Sequence, residues 1–142
     1  MRTIAVVSVG RSDYGIYQPV LAEMARRPSL HPVVVAGGMH LSPAFGLTVA
    51  DIEDDGYAIG ARVEIDVEGD RPEDIARATG VGVLGFAAAL AALRPDITLL
   101  LGDRYEMFAA AAAAAPMGLP LAHLHGGEAT EGAVDESLRH AI

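Results

Sequence analysis

Short runs rich in Val, Ile and Leu alternate with helix-patterned segments along nearly the whole chain. Four of those runs end abruptly in a cluster of glycines with charged or imidazole side chains. Runs of this kind are how parallel strands read when helices cover both faces of a sheet. They fall near 3–9, 32–36, 59–65, 97–101 and 120–124, with helical patterns near 14–26, 48–55, 72–93 and 105–117 and another opening near Asp135. Repeated strand–helix–strand units with right-handed crossovers predict an α/β fold, a doubly wound, mostly parallel, Rossmann-like sheet. Gly80, Gly82 and Gly85 lower the stability of the 72–93 helix and mark either a break or a close packing face. The alanine tract at 109–115 combines high helix propensity with side chains small enough for close approach to a sheet.

At 142 residues the chain reads as one domain, long enough to bury a core without staples. It contains no cysteine, which excludes disulfides, thiolate metal sites and thiol nucleophiles and fits a cytoplasmic setting. Met1-Arg2 leads straight into the first strand pattern, without the apolar region of a signal peptide, and no uninterrupted apolar run nears the ~18 residues of a membrane span. Ten basic against nineteen acidic residues give a net charge of −9, which argues against a nucleic-acid surface. An anionic ligand must therefore be held by locally placed cations. All ten basic residues are Arg.

The polar clusters follow the strands. They read Gly10-Arg11-Ser12-Asp13-Tyr14-Gly15, Gly37-Gly38-Met39-His40, Gly102-Asp103-Arg104-Tyr105-Glu106 and His125-Gly126-Gly127-Glu128. In a parallel sheet all four lie along the carboxyl edge, where glycines allow close backbone approach and helix N-termini favour anions. Arg11 and Arg104 are then the cations for a phosphorylated ligand. The first loop lacks both GxGxxG and GxxxxGK[ST], which argues against a dinucleotide-binding dehydrogenase or a P-loop enzyme.

Each cluster also has a purely structural reading. Ser12 or Asp13 can cap a helix from Tyr14, and Asp103 can cap the next helix or pair with Arg104. Glu106 suits a first helical turn. His123 and His125 face one side if the strand persists that far, and with Glu128 they would make a weak metal-ligand pattern. We expect no metal and no cofactor. His123 suits a satisfied position in the core, His125 an acid–base role, and His40 a place at the active edge, whereas His31 reads as incidental. Asp135 can cap the last helix or oppose Asp103 as a second carboxylate, an arrangement that divides proton abstraction from donation.

GRSDYG, GGMHLSPAFG, PDITLLLGDRYEM and HLHGGEATEGAVDESLRHAI, in this order and spacing, resemble the hydrolysing UDP-N-acetylglucosamine 2-epimerases of sialic-acid synthesis and their relatives acting on diacetamido-trideoxy sugars. The resemblance covers essentially the whole chain. It implies the amino-terminal half (1–142) of a two-domain fold similar to the B-type glycosyltransferases, with the sugar nucleotide in the cleft and a carboxyl-terminal domain supplying most nucleotide contacts. The chain ends fourteen residues after Glu128, inside a helical pattern, so it is expected to be truncated and inactive alone. The implied reaction eliminates UDP across carbons 1 and 2 and then adds water with inversion at carbon 2. By the same resemblance Asp103, His125 and Asp135 fall at catalytic positions, although several relatives carry Glu where this chain has His125. Arg11, Asp13 and His40 match positions facing the nucleotide sugar, and Arg104, Glu128, Ser137 and Arg139 line or brace the cleft. The implied partners are a UDP-sugar and further copies of the chain, with no membrane or nucleic acid.

Overall fold

A computed structural model describes residues 1–129, 131, 132 and 134–142. Five strands, β1 (Arg2–Ser8), β2 (Leu30–Gly37), β3 (Ile59–Val63), β4 (Ile97–Leu101) and β5 (Leu121–Leu124), form one sheet in the order β3-β2-β1-β4-β5. Every pairing is parallel, with Val6 of the central strand opposite Val34 on one side and Leu99 on the other. The helices are α1 (Arg11–Ala25), α2 (Val49–Asp54), α3 (Pro72–Leu93), α4 (Tyr105–Ala114) and α5 (Val134–Ala141), with two short 3-10 turns, Gly38–Leu41 and Pro43–Phe45, between β2 and α2. The doubly wound architecture expected from the strand–helix alternation is the one found. Because the chain runs β1, β2, β3 outward and then returns to place β4 on the other flank of β1, right-handed crossovers put α1 and α2 on one face and α3 and α4 on the other. The direction of winding reverses between β1 and β4, and the loops leaving these two strands diverge there.

The core follows from the sequence pattern. Ala5, Val6 and Val7 of β1 and Leu100 of β4 are fully buried, with Tyr17 and Leu21 packed from α1 and Phe86 and Leu90 from α3. The glycines of α3 are not a break, since the helix runs unbroken for 22 residues, and Gly82 and Gly85 prove to be a packing face, whereas Gly80 is exposed with nothing near it. A Cβ on Gly82 would lie 3.0 Å from that of Ala109, and one on Gly85 would lie 2.6 Å from a Val63 methyl. The alanine tract of α4 meets this face, with Ala109, Ala110, Ala113 and Ala114 buried.

Two element ends in this part of the fold differ from the sequence reading. Helix α4 stops at Ala114 instead of continuing to 117: Ala115 keeps helical φ/ψ and still bonds the Ala111 carbonyl, but Pro116 supplies no N–H to carry the ladder on. Strand β3 stops at Val63, opposite Gly37, where β2 itself turns away and leaves no edge to pair with. Helix α3 is long and apolar enough, by length and composition, to cross a membrane, which a search for uninterrupted apolar runs passes over. Here its inner face lies on the sheet and on α4, with Ala78, Gly82, Phe86 and Leu90 buried.

Candidate active site

At the winding reversal, a cavity of about 150 Å³ opens between the loops after β1 and β4. Ser12, Asp13 and Ile16 line it from α1, and Leu101, Gly102, Asp103 and Arg104 from the β4–α4 connection. Gly102 has φ of +80°, a conformation that L side chains rarely adopt, and it turns the chain sharply out of β4 so that Asp103 follows at the cavity.

Asp103 is held from a distant part of the sequence. Arg139 of α5 donates from Nη2 to Asp103 Oδ2 at 2.5 Å and from Nη1 to the His125 carbonyl at 2.9 Å, with Glu128 Oε2 3.5 Å away. One buried guanidinium therefore ties together the ends of β4 and β5. Its hydrogen bond to Asp103 raises the pKa of Arg139, so the cation is permanent. The Asp103 side chain keeps 24% exposure, which leaves room for its carboxylate to meet a ligand. The pairing of Asp103 with Arg104 that adjacency suggested does not form, and neither residue caps α4 through its side chain. Arg104 instead makes a two-point contact with Glu106, Nε to Oε2 at 3.2 Å and Nη2 to Oε1 at 3.1 Å. Burial works against the charge on Arg104, but Glu106 more than compensates and raises its pKa. Glu106, expected as a first-turn residue, is indeed in the first turn of α4, and it is buried.

Helix α1 begins at Arg11, three residues earlier than expected, with extended Gly10 at the N-cap position and no side-chain cap. Neither Ser12 nor Asp13 caps it. Asp13, in the first turn, reaches back past the N-cap to accept the Val9 N–H at 3.0 Å and bonds Ser8 Oγ with its other oxygen. Burial outweighs these bonds and pushes the Asp13 carboxyl up to about 6. His40 is fully buried, with Nε2 2.7 Å from Ser8 Oγ and Nδ1 2.8 Å from Thr48 Oγ1. Its ring is linked to the cavity through Ser8 and Asp13. Burial lowers its pKa, which favours the neutral imidazole.

His123 and His125 do not share a face. Strand β5 ends at Leu124, and His125 takes a left-handed conformation with φ of +59°. Its Nδ1 bonds Glu128 across one turn. The half-buried His123 places Nε2 2.6 Å from the Gly102 carbonyl, and Gly126 covers its ring so closely that a Cβ there would lie 2.5 Å from Nδ1. Among the described residues, no three His, Cys, Asp or Glu side chains are placed to hold a metal ion. Asp135 and Ser137 are exposed on α5, and it is Arg139 of the same helix that contacts Asp103. Arg11 lies in a different depression of about 350 Å³ between α1 and α2, lined also by Tyr14, Gln18, Asp51, Asp54 and Asp55.

Sequence reasoning missed Ser8 and Thr48, the two hydroxyls that complete the Asp13–His40 contact. The signal for Ser8 was present, since it is the one polar residue in the run 4–9 of the first strand.

A parallel sheet wound both ways, with carboxylates and guanidinium groups gathered where the winding reverses, defines an α/β domain built to present a ligand site at its carboxyl edge. A family model described as UDP-N-acetylglucosamine 2-epimerase matches residues 22–142, and the chain belongs to that family. It is 39% identical over 142 residues to the UDP-N,N′-diacetylbacillosamine 2-epimerase (hydrolyzing) of Legionella pneumophila, covering all of this chain and 37% of that protein. It is 36% identical over 141 residues to the GDP/UDP-N,N′-diacetylbacillosamine 2-epimerase (hydrolyzing) of Campylobacter jejuni, covering 99% of this chain and 36% of that one. The crystal structure of UDP-GlcNAc 2-epimerase from Neisseria meningitidis bound to UDP-GlcNAc shares the fold, with a TM-score of 0.79 at 19% identity, over 99% of this chain and 37% of that one. The chain thus spans little more than a third of the length of the relatives it matches.

Proposed function

We propose that this chain forms one wall of the active site of a hydrolysing 2-epimerase, which converts a UDP-linked 2-acetamido sugar into the free 2-epimer and UDP. The observation that carries this reading is the Asp103 carboxylate, clamped by buried Arg139 yet open to the cavity at the winding reversal, with Arg104 beside it. The two relatives at 39% and 36% identity, both diacetylbacillosamine 2-epimerases, favour a 2,4-diacetamido-trideoxy sugar, with UDP-N-acetylglucosamine as the alternative substrate. A cytoplasmic setting fits a chain without cysteine.

In the elimination step a base removes the proton from carbon 2 while the bond from carbon 1 to the UDP oxygen breaks, giving a glycal and UDP. Water then adds its oxygen to carbon 1, and a proton enters carbon 2 from the opposite face. Such a reaction needs carboxylates to move protons and fixed cations to hold a departing phosphate. Asp103 and His125 are the proton-moving candidates from this chain, with Asp135 available from the first turn of α5. Glu128 orients the His125 ring, and Arg104 is the cation nearest the cavity. A second domain is proposed to close the cleft and bind most of the nucleotide. Incubating the full-length protein with the UDP-sugar in heavy water tests the reading: one deuterium is expected at carbon 2 of the released sugar, with one UDP per turnover. Release of UDP with no deuterium at carbon 2 would mean simple hydrolysis or transfer, and would overturn it.

A further inference from the structure

Four polar side chains run as one hydrogen-bonded chain through the apolar interior. Asp13 borders the cavity, Ser8 bonds both Asp13 and His40, and His40 bonds Thr48, which is half-buried next to α2. The chain of contacts therefore leads from the cavity to the opposite side of α1. A hydroxyl carries one hydrogen, so Ser8 cannot donate to Asp13 and His40 together, and the direction of every bond is set by its neighbour. When Asp13 is ionised, Ser8 donates to it, His40 Nε2–H donates to Ser8, and Thr48 donates to Nδ1. When Asp13 is protonated, every direction reverses: Asp13 donates to Ser8, Ser8 to Nε2, and Nδ1–H to Thr48.

We propose that Asp13 is a proton-exchanging residue of the cavity and that Ser8, His40 and Thr48 relay its proton to solvent. The proton balance closes. The Asp13 proton passes to Ser8, the Ser8 proton to Nε2 and the Nδ1 proton to Thr48, and the Thr48 hydroxyl releases its own proton outward. Each relay atom breaks one bond to hydrogen and forms another, the imidazole changes tautomer without becoming charged, and one proton leaves. The surroundings suit such a neutral shuttle. Burial disfavours the imidazolium against the pull of Asp51 on α2, and Tyr14 meets the ring edge-on with centroids 6.2 Å apart. Asp13 is faced by His40 Nε2 at 3.9 Å, by the buried Tyr17 phenol, by Asp103 across the cavity, and by Arg104, which favours its ionised form. As a catalytic role this rests on the proposed elimination, in which an acid or base sealed under a bound sugar must be reset. Ser8, His40 and Thr48 are positioning residues that act through Asp13.

Nitrogen NMR of the histidine rings between about pH 5 and pH 8, read beside the Asp13 carboxyl carbon, tests the relay without any assay of turnover. His40 is expected to carry its proton on Nδ1 at the acid end and on Nε2 at the alkaline end, uncharged throughout, with the midpoint of Asp13. Either Ser8→Ala or Thr48→Val should decouple the tautomer from Asp13, and two separate breaks keep the test open if one variant folds poorly. In the full-length protein, Thr48→Val should lower kcat by at least ~10-fold with KM unchanged, within the range of proton-transfer catalysis. A single tautomer across the range, an imidazolium forming with the Asp13 midpoint, or an unchanged kcat overturns the proposal. A protein that shows the coupled tautomer switch but places no deuterium at carbon 2 keeps the relay and loses the epimerase reading.

Discussion

Asp103→Asn in the full-length protein is expected to lower kcat by ~10³-fold, within the span attributed to general acid–base groups, while the fold is retained. The substitution is nearly isosteric, and its amide oxygen can still accept from Arg139 Nη2, so the tie between β4 and α5 survives. What disappears is the negative charge and the capacity to bind a proton, at a carboxylate that is both anchored by a buried guanidinium and open to the cavity. Circular dichroism and thermal unfolding of the variant should match the parent, which separates loss of chemistry from loss of structure. Turnover within twofold of the parent would contradict the role assigned to Asp103.

Asp13→Asn carries the largest expected effect on stability, and the effect depends on pH. Burial raises the Asp13 carboxyl from 3.8 to about 6 in the folded chain. The folded state therefore binds more protons than the unfolded state between these values, and stability falls as pH rises through that window. The contribution of Asp13 is fully present below pH 3.8 and is lost above about pH 6, with a size of about 3 kcal/mol from the shift. Asparagine reproduces the hydrogen bonds of the protonated acid, accepting from Val9 N–H and donating to Ser8 Oγ, and it has no proton to lose. Urea unfolding at about pH 4 and about pH 8 should find the two proteins alike under acid conditions. At the alkaline end the variant should be more stable by about 3 kcal/mol. Since all other titrations cancel in the difference, parallel pH curves for the two proteins would contradict the account.

The strands, the helices and the carboxyl-edge placement of the polar clusters were legible because they rest on local pattern. Apolar runs bounded by glycine fix the strands, and Pro116 and Gly102 fix where elements stop or turn. Partners distant in sequence were not legible. Nothing near Asp103 announces that its cation is Arg139, 36 positions away, because that pairing exists only once α5 has folded back over the ends of β4 and β5. Adjacency pointed instead to Arg104, whose guanidinium is taken by a buried Glu106. The start of α1 was misplaced because Asp13 reads as a cap, although its bonds reach back to Val9 and Ser8. His125 leaves the face of His123 through a left-handed turn that strand periodicity cannot foresee in a non-glycine residue.

We propose that the cavity between β1 and β4, and not the larger acidic depression between α1 and α2, receives the reacting sugar. A crystal structure of the full-length Asp103→Asn protein with the UDP-sugar tests it most directly. The sugar ring is expected against Asp13, Gly102, residue 103 and Arg104, with carbon 2 within hydrogen-bond reach of a proton-moving side chain. A sugar seated among Arg11, Tyr14, Asp51 and Asp55, or bound with residue 103 and Asp13 both out of contact, would contradict it.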